Sequence, residues 1–142
     1  MVVCGRNQDL YRQINNLIHS HPTSPTRVVV LGFIPNLAPY FQLSDLIIGK
    51  AGPNSLFEAT AAHRPFLAIS HISGQESGNL QLIRDRSLGW VKENINSAID
   101  LLAQIYHQPA TVNQFRDSLS KLADYNRLAA PHLVKLIDQL LT

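Results

Sequence analysis

Several features that define common protein classes are scarce in this chain of 142 residues. It contains a single cysteine, Cys4, so it cannot form an internal disulfide, and neither that cysteine nor the six histidines follow a zinc-binding spacing. Charged residues make up 15% of the sequence and give a formal net charge of +2, which is too small to indicate a nucleic-acid partner. No apolar run is long enough to cross a bilayer. We therefore expect a soluble protein with neither a metal site nor a nucleic-acid partner.

Sequence motifs of several nucleotide-binding and hydrolytic classes are also missing. A P-loop requires G-x-x-x-x-G-K-[ST], whereas Lys50 precedes Gly52 here and is followed by alanine, and G-x-G-x-x-G does not occur. These absences weaken an ATPase or NAD-dependent function. No G-x-S-x-G motif supports a hydrolase. Because no charged n-region precedes an apolar h-region, nothing indicates export, and we expect a cytoplasmic protein.

Two polar clusters are the most informative segments that the sequence does contain. The first is Lys50-Ala-Gly-Pro-Asn-Ser-Leu-Phe-Glu58, and the second is Gly74-Gln-Glu-Ser-Gly-Asn79. Gly52 permits unusual backbone torsions or the close approach of a ligand, and Ser55-x-x-Glu58 has the spacing of a helix capping box. A helix that starts there would direct its N-terminus at an anion. The motif leaves two roles for Glu58: it caps the helix, or it binds a pair of sugar hydroxyls.

Short apolar runs alternate with helical patterns along the chain. Leu10, Ile14, Leu17 and Ile18 recur at helical spacing, which predicts a helix that is buried on one face. Apolar runs bounded by turn residues predict five strands, at Val2–Cys4, Val28–Leu31, Leu46–Ile48, Phe66–Ile69 and Gly89–Val91. The other predicted helices are Leu37–Leu43, Ser55–His63, Gln75–Arg86, Ile95–Tyr106, Val112–Ala123 and Pro131–Leu141, the last with an apolar stripe of Leu133, Leu136, Ile137 and Leu140.

This alternation predicts an α/β fold with a doubly wound, Rossmann-like parallel sheet. Parallel strands need crossover connections, and those crossovers cover both faces of the sheet. The loops that leave the carboxyl ends of such strands open on one edge, so residues 5–7, 32–35, 49–55 and 70–79 should converge there. Their convergence favours a binding role for four polar side chains, those of Glu58, Gln75, Glu76 and Asn79.

Six segments, taken in order, carry a resemblance to a known family: Val2–Asn7, Val30–Asn36, Ser44–Ile48, Lys50–Pro53, Glu58–Ala59 and Gly74–Asn79. Together they resemble the C-terminal half of family 28 glycosyltransferases, which have the GT-B architecture. The similarity is greatest to monogalactosyldiacylglycerol synthases and processive diacylglycerol glucosyltransferases, and more distant to the N-acetylglucosaminyltransferase of peptidoglycan synthesis. It extends from Val2 to about Lys92. The resemblance implies a single donor-binding domain over residues 1–142, with a helical tail over about 95–142.

The resemblance further implies a site for a UDP-sugar donor, bound without a metal or another cofactor. Main-chain atoms at Phe33 and Ile34 would contact uracil, and Glu58 would accept hydrogen bonds from the ribose hydroxyls. Backbone amides and a helix dipole suit a diphosphate, whereas carboxylates and side-chain amides suit a sugar. The diphosphate would lie against Gly52, Pro53, Asn54 and Ser55, and the donor sugar would face Gln75, Glu76 and Asn79.

The resemblance also implies what this chain would need from elsewhere. The reaction is an inverting displacement at the anomeric carbon, which transfers a hexosyl group, here to a lipid-linked acceptor, with the base supplied by an acceptor-binding N-terminal domain. The present chain opens at what corresponds to the second strand of the C-terminal half. We therefore expect a fragment or a subunit that lacks the first strand, depends on that N-terminal partner and is inactive alone. Any peripheral membrane association would come through the partner.

Departures from the family pattern keep other functions open. Asn54 stands where related lipid glycosyltransferases usually have glycine, and it would narrow the phosphate loop or supply another N-cap. One alternative is a non-catalytic or degenerate nucleotide-sugar-binding domain, and another is a nucleotide-sugar isomerase of similar fold. The isomerase is disfavoured because Ala51-Gly-Pro-Asn54 lacks the Asp-Ser-Gly-Gly type of turn.

Overall fold

The computed structural model describes residues 1–22 and 26–141, so Thr142 at the end of the predicted tail lies outside the described residues. The chain divides into two compact units, Met1–Leu37 and Ala38–Thr142. Each unit contains its own parallel sheet, one of two strands and one of three. The predicted α/β class with parallel strands is confirmed, and the prediction of a single domain over the whole chain stays a prediction.

The first unit consists of one strand–helix–strand repeat. Strand β1 (Val2–Val3) pairs in parallel with β2 (Val30–Leu31), with Val2 opposite Val30, and helix α1 (Gln8–His19) connects them. Asn7 caps α1, since its side-chain oxygen accepts a hydrogen bond of 2.9 Å from the Leu10 amide. Strand β2 is two residues shorter than predicted.

Helix α1 forms where the sequence predicts it, but its apolar face is not buried. None of its residues is buried, and Leu17 is 61% exposed. A two-stranded sheet offers too little surface to cover a helix of three turns, and this is the physical reason that the predicted burial fails within the unit.

The second unit is built around β4. Its sheet has the parallel order β3 (Ile47–Lys50), β4 (Phe66–Ser70) and β5 (Gly89–Val91). Phe66, Leu67 and Ala68 of the central strand are fully buried, as a continuous apolar run predicts for a strand covered on both faces. The register slips between Gly49 and Lys50, where Gly49 lies opposite Ala68 but Lys50 lies opposite Ser70.

Helices connect the strands of this unit and extend beyond them. Helix α2 (Ala38–Leu43) precedes β3, while α3 (Pro53–Ala61) and α4 (Ser77–Asp85) are the crossovers between the strands. After β5 come α5 (Ile95–His107), a 3₁₀ segment (Pro109–Phe115) and α6 (Arg116–Leu141). The core is completed by fully buried side chains from α3, α4, the turn before β5 and α6, namely Leu56, Ile83, Leu88 and Leu119.

The C-terminal helices differ from the prediction. Instead of separate helices at 112–123 and 131–141, α6 is one helix that continues through Pro131. Proline lacks an amide hydrogen and usually interrupts a helix, and this local rule led to the predicted break. The predicted stripe of Leu133, Leu136, Ile137 and Leu140 is exposed in this structure. None of the described helices combines the length and the apolar character that a bilayer crossing requires.

One glycine is essential to the packing of β4 against β5. Gly89 has φ of +152°, and a Cβ atom at this position would lie 1.9 Å from the carbonyl oxygen of Phe66. Such a distance is shorter than any side-chain carbon tolerates, and the obstructing atom belongs to the buried strand backbone. Only glycine allows these two strands to approach so closely.

We predict that Gly89→Ala destabilises the protein by about 3 kcal/mol or more, because both the torsion and the contact with Phe66 penalise the methyl group. The matched control is Gly78→Ala, since Gly78 lies in α4 with open space around its Cβ position. That variant should lie within about 1 kcal/mol of the wild type. Urea denaturation of the three proteins measures the difference, and equal midpoints for both variants would contradict the prediction.

Candidate functional site

The site begins where β3 turns into α3. The Ala51 amide donates a hydrogen bond of 2.8 Å to the carbonyl of Ser70, which ties the end of β3 to β4. Gly52 is the N-cap residue, and Pro53 occupies the first helical position, where its fixed φ suits the helix. The next amides, at Asn54 and Ser55, have no hydrogen-bond partner in the described part of the chain. They are the open N-terminal donors that an α-helix leaves for an anion.

The predicted capping box at Ser55 and Glu58 is not formed. The helix starts at Pro53, two residues before Ser55, and the N-cap makes no side-chain hydrogen bond. Glu58 therefore lies in the second turn, where its carboxylate is exposed and has no partner among residues 1–22 and 26–141. Of the two roles left open by the motif, helix capping is excluded. Asn54 likewise sits inside the first turn and does not serve as an N-cap.

Gly52 lies next to the side chains of Lys50 and Glu76. Its φ is −71°, a value that any residue adopts, so of the two reasons that the sequence offers for a glycine here, close approach of a ligand is the one that the backbone leaves. A Cβ at this position would lie 3.6 Å from Oε1 of Glu76 and 3.8 Å from Nζ of Lys50. Gly52 therefore lies directly beside a pair of charged groups, at the start of α3.

Those groups form an ion pair between the two polar clusters. Lys50 donates to Oε1 of Glu76, and the amide of Ile72 donates to Oε2 at 2.8 Å. Glu76 is only 5% exposed, whereas the side chain of Lys50 is 48% exposed. The hydrogen bond from Lys50, followed by that from Ile72, lowers the pKa of Glu76 against the opposing effect of its burial, and the positive potential of Lys50 and His71 adds to the lowering.

The second cluster is joined to the first by another long-range bond. The Nδ2 atom of Asn79 donates to the carbonyl of Ala51 at 2.7 Å, and Asn79 is half-buried. Gln75 is exposed, in a turn that Gly74 enters with a φ of +81°. Of the three residues predicted to face the sugar, Gln75 makes no described side-chain hydrogen bond. Glu76 bonds to Lys50 and Asn79 bonds to Ala51, where β3 leads into α3.

Sequence reasoning missed a further pair at the same edge of the three-stranded sheet. His71 directly follows β4, and Glu93 lies two residues after β5. Their side chains are 2.5 Å apart, from Nδ1 to Oε1. Together with Lys50 they place a charged or titratable group at the end of every strand of this sheet. Their position just after the strands is the sequence feature from which His71 and Glu93 could have been predicted. In the described part of the chain, no three histidine, cysteine or carboxylate side chains gather as metal ligands would.

The residues predicted to contact uracil belong to the first unit. Phe33 and Ile34 follow β2, with Phe33 exposed and Ile34 half-buried. The guanidinium of Arg6 lies over the Phe33 ring, 4.7 Å from its centroid, so the loops after β1 and β2 meet as predicted. Their role in base recognition stays a prediction.

Comparison with known proteins identifies the family. Residues 1–111 match the glycosyltransferase family 28 C-terminal domain. This chain belongs to that family. Among curated relatives, it is 29% identical over 104 residues to a probable monogalactosyldiacylglycerol synthase of Nicotiana tabacum, covering 73% of this chain and 18% of the relative. It is 33% identical over 89 residues to monogalactosyldiacylglycerol synthase 1 of Arabidopsis thaliana, covering 63% and 16%.

A bacterial relative and a solved structure complete the comparison. The chain is 30% identical over 105 residues to the processive diacylglycerol beta-glucosyltransferase of Bacillus pumilus, covering 74% of the chain and 26% of the relative. The spinosyn forosaminyltransferase SpnP matches in structure with a TM-score of 0.60 and 21% identity, covering 81% of this chain and 32% of that chain, which shows the fold alone. The family 28 chain thus spans roughly a sixth to a quarter of the length of these curated relatives.

The lowered pKa of Glu76 leads to a prediction about acid stability. A carboxylate whose folded pKa lies below its ordinary 4.5 contributes stability that is complete above that value and is lost as the pH falls through the folded value. The groups that face it are Lys50, the Ile72 amide and His71, which is itself paired with Glu93. Glu76→Gln should therefore be less stable than the wild type at neutral pH, and the difference should shrink on acidification below pH 4.5.

Urea denaturation at a series of pH values measures this effect. Glu58→Gln is the matched control, because it also removes one carboxylate from the same region but breaks no described hydrogen bond. Parallel pH profiles for the wild type and Glu76→Gln would contradict the assigned ion pair.

Proposed function

We propose that this chain is the donor-binding part of an inverting hexosyltransferase that uses a UDP-sugar and a lipid-linked acceptor. The observation that carries the proposal is the start of α3 in a member of a glycosyltransferase family. The amides of Asn54 and Ser55 have no described partner there, and they follow Gly52, whose Cβ position would lie 3.8 Å from Nζ of Lys50. Helix N-termini bind phosphate groups through such amides and through the helix dipole. No divalent cation is needed for that contact.

Glu58 suits the ribose in this arrangement. It lies four residues after Asn54, so the two residues occupy the same face of α3, about one helical turn of 5.4 Å apart. An exposed carboxylate without a protein partner is free to accept hydrogen bonds from two neighbouring hydroxyls. The diphosphate would thus lie at the helix start and the ribose one turn along it. The contact of uracil with the main chain at Phe33 and Ile34 is a separate part of the proposal, supported by the family resemblance.

The donor sugar is assigned to the loop before α4. The side chain of Gln75 is exposed and makes no hydrogen bond to the described residues, so its side-chain amide is available to hydroxyl groups. Asn79 uses its Nδ2 atom on Ala51, which leaves its carbonyl oxygen as an acceptor. The identity of the acceptor rests on the relatives, whose names describe the synthesis of galactosyl and glucosyl diacylglycerols. Association with a membrane surface belongs to the same proposal.

The uridine assignment is tested by ligand preference. Isothermal titration should show tighter binding of UDP than of ADP, and Glu58→Ala should weaken UDP binding by about 1–3 kcal/mol through loss of charge-assisted hydrogen bonds. Asp100→Ala is the control, since it removes an exposed carboxylate from α5. Equal affinities for UDP and ADP would contradict the uridine assignment and would favour a degenerate binding domain.

Transfer itself should require more than this chain. No described residue is assigned as the general base or as a contact of the acceptor, and the joint positioning of two substrates supplies a large part of a transferase rate. We expect the purified chain to bind the donor without transferring the sugar to diacylglycerol in mixed micelles. Robust glycolipid formation by the chain alone, detected by thin-layer chromatography, would contradict the expectation that transfer needs a further domain or subunit.

A further inference from the structure

The two side chains of the ion pair between Lys50 and Glu76 differ greatly in their exposure to solvent. Both carboxylate oxygens of Glu76 are occupied, one by Lys50 and the other by the Ile72 amide, and the residue is almost fully buried. It therefore has little surface to offer a sugar. Lys50, in contrast, is half-exposed, and its ammonium carries three donors, of which one is used in the described structure. Two donors are available to a ligand.

The position of Lys50 is set by the strand and by the loop together. Lys50 is the last residue of β3, immediately after the register slip opposite β4, and such irregularities redirect a side chain at the end of a strand. Oε1 of Glu76 accepts a hydrogen bond from the ammonium and lies 3.6 Å from where a Cβ of Gly52 would be. The resulting position of Nζ is 3.8 Å from where a Cβ of Gly52 would lie, at the N-cap of α3.

The charge of Lys50 decides whether an anion can approach the start of α3. A buried carboxylate beside the start of α3 would repel a diphosphate if it stood alone, and the ammonium of Lys50 cancels that charge. Because Lys50 is also exposed, it can contact a second anion while it remains bound to the first. The pair thus keeps the helix N-terminus receptive to a diphosphate.

We propose that Glu76 is a positioning residue, which holds the Lys50 ammonium beside the open amides of α3 so that Lys50 donates to the diphosphate of the donor. This inference rests on the proposed function and refines it, since the family resemblance assigns Glu76 to the donor sugar. In the proposed displacement, the acceptor hydroxyl oxygen bonds to the anomeric carbon and its proton goes to the base expected from the N-terminal partner. The bond from that carbon to the diphosphate oxygen breaks, its electron pair stays on the diphosphate, and the ammonium would lie next to the added charge. No proton moves through Lys50 or Glu76.

The test compares two ligands that differ only in the diphosphate. Uridine and UDP are titrated into the wild type and variants of the full chain by calorimetry or NMR. Lys50→Met should weaken UDP about tenfold to a hundredfold, the cost of one charge-assisted hydrogen bond, and leave uridine within about twofold. Lys50→Arg should largely preserve the preference for UDP. Lys121→Met is the charge-matched control, because Lys121 is exposed on α6, and it should not change the ratio of the two affinities.

Variants of Glu76 test the positioning role. Glu76→Gln should weaken UDP several-fold and uridine little, and it should weaken UDP as much as a UDP-hexose. The double variant Lys50→Met with Glu76→Gln removes both charges and leaves no buried ion unpaired. It should bind UDP no worse than Lys50→Met alone, since a positioning residue has no effect once the group that it positions is gone.

Several outcomes would overturn the inference. An unchanged ratio of UDP to uridine affinity in Lys50→Met would remove Lys50 from the diphosphate site. Additive losses in the double variant, or a loss confined to the UDP-hexose in Glu76→Gln, would make Glu76 a direct ligand of the sugar. Failure of the wild type to bind either uridine or UDP would instead reject the proposed function, and this inference with it.

Discussion

The candidate site depends on one buried charge. Glu76 is removed from water, and a carboxylate in that position is tolerated only because Lys50 and the Ile72 amide occupy its two oxygens. These bonds tie the loop before α4 to the end of β3. The hydrogen bond from Asn79 to Ala51 reinforces the same connection. The open start of α3, the exposed ammonium and the loop that carries Gln75 all take their positions from it.

The scaffold beneath this site is rigid for simple reasons. Phe66, Leu67 and Ala68 are buried on both faces of the sheet, and Gly89 lets β5 approach the backbone of Phe66 without a side chain between them. Strands packed in this way fix where each carboxyl end lies. The charged groups that follow the strands are therefore held in a defined arrangement. In this member of family 28, the candidate site residues lie in and beside loops that a well-packed sheet positions.

The polar residues of the second cluster, Gly74–Asn79, differ in exposure and in hydrogen bonding. Gln75 is exposed, while Glu76, the next residue, is buried and bonded to Lys50. Adjacent residues in a tight turn point in different directions, so a common assignment to the sugar does not follow from a shared motif. For Glu58, the structure removes the capping role and leaves a carboxylate with no partner among the described residues, and its contact with sugar hydroxyls stays a proposal.

The sequence by itself determined the parallel α/β class, the order of most strands and helices, the family and the two polar clusters, because apolar periodicity and short motifs are local properties. For the candidate site, the motif indicated a helix start close to Gly52 and named Glu58 and Gln75, whereas their exposure and the start of the helix at Pro53 came from the structure. Tertiary structure alone decided that Lys50 pairs with Glu76, 26 residues away, that His71 pairs with Glu93 and that α6 runs through Pro131. These contacts depend on strand register and packing, which no local pattern specifies.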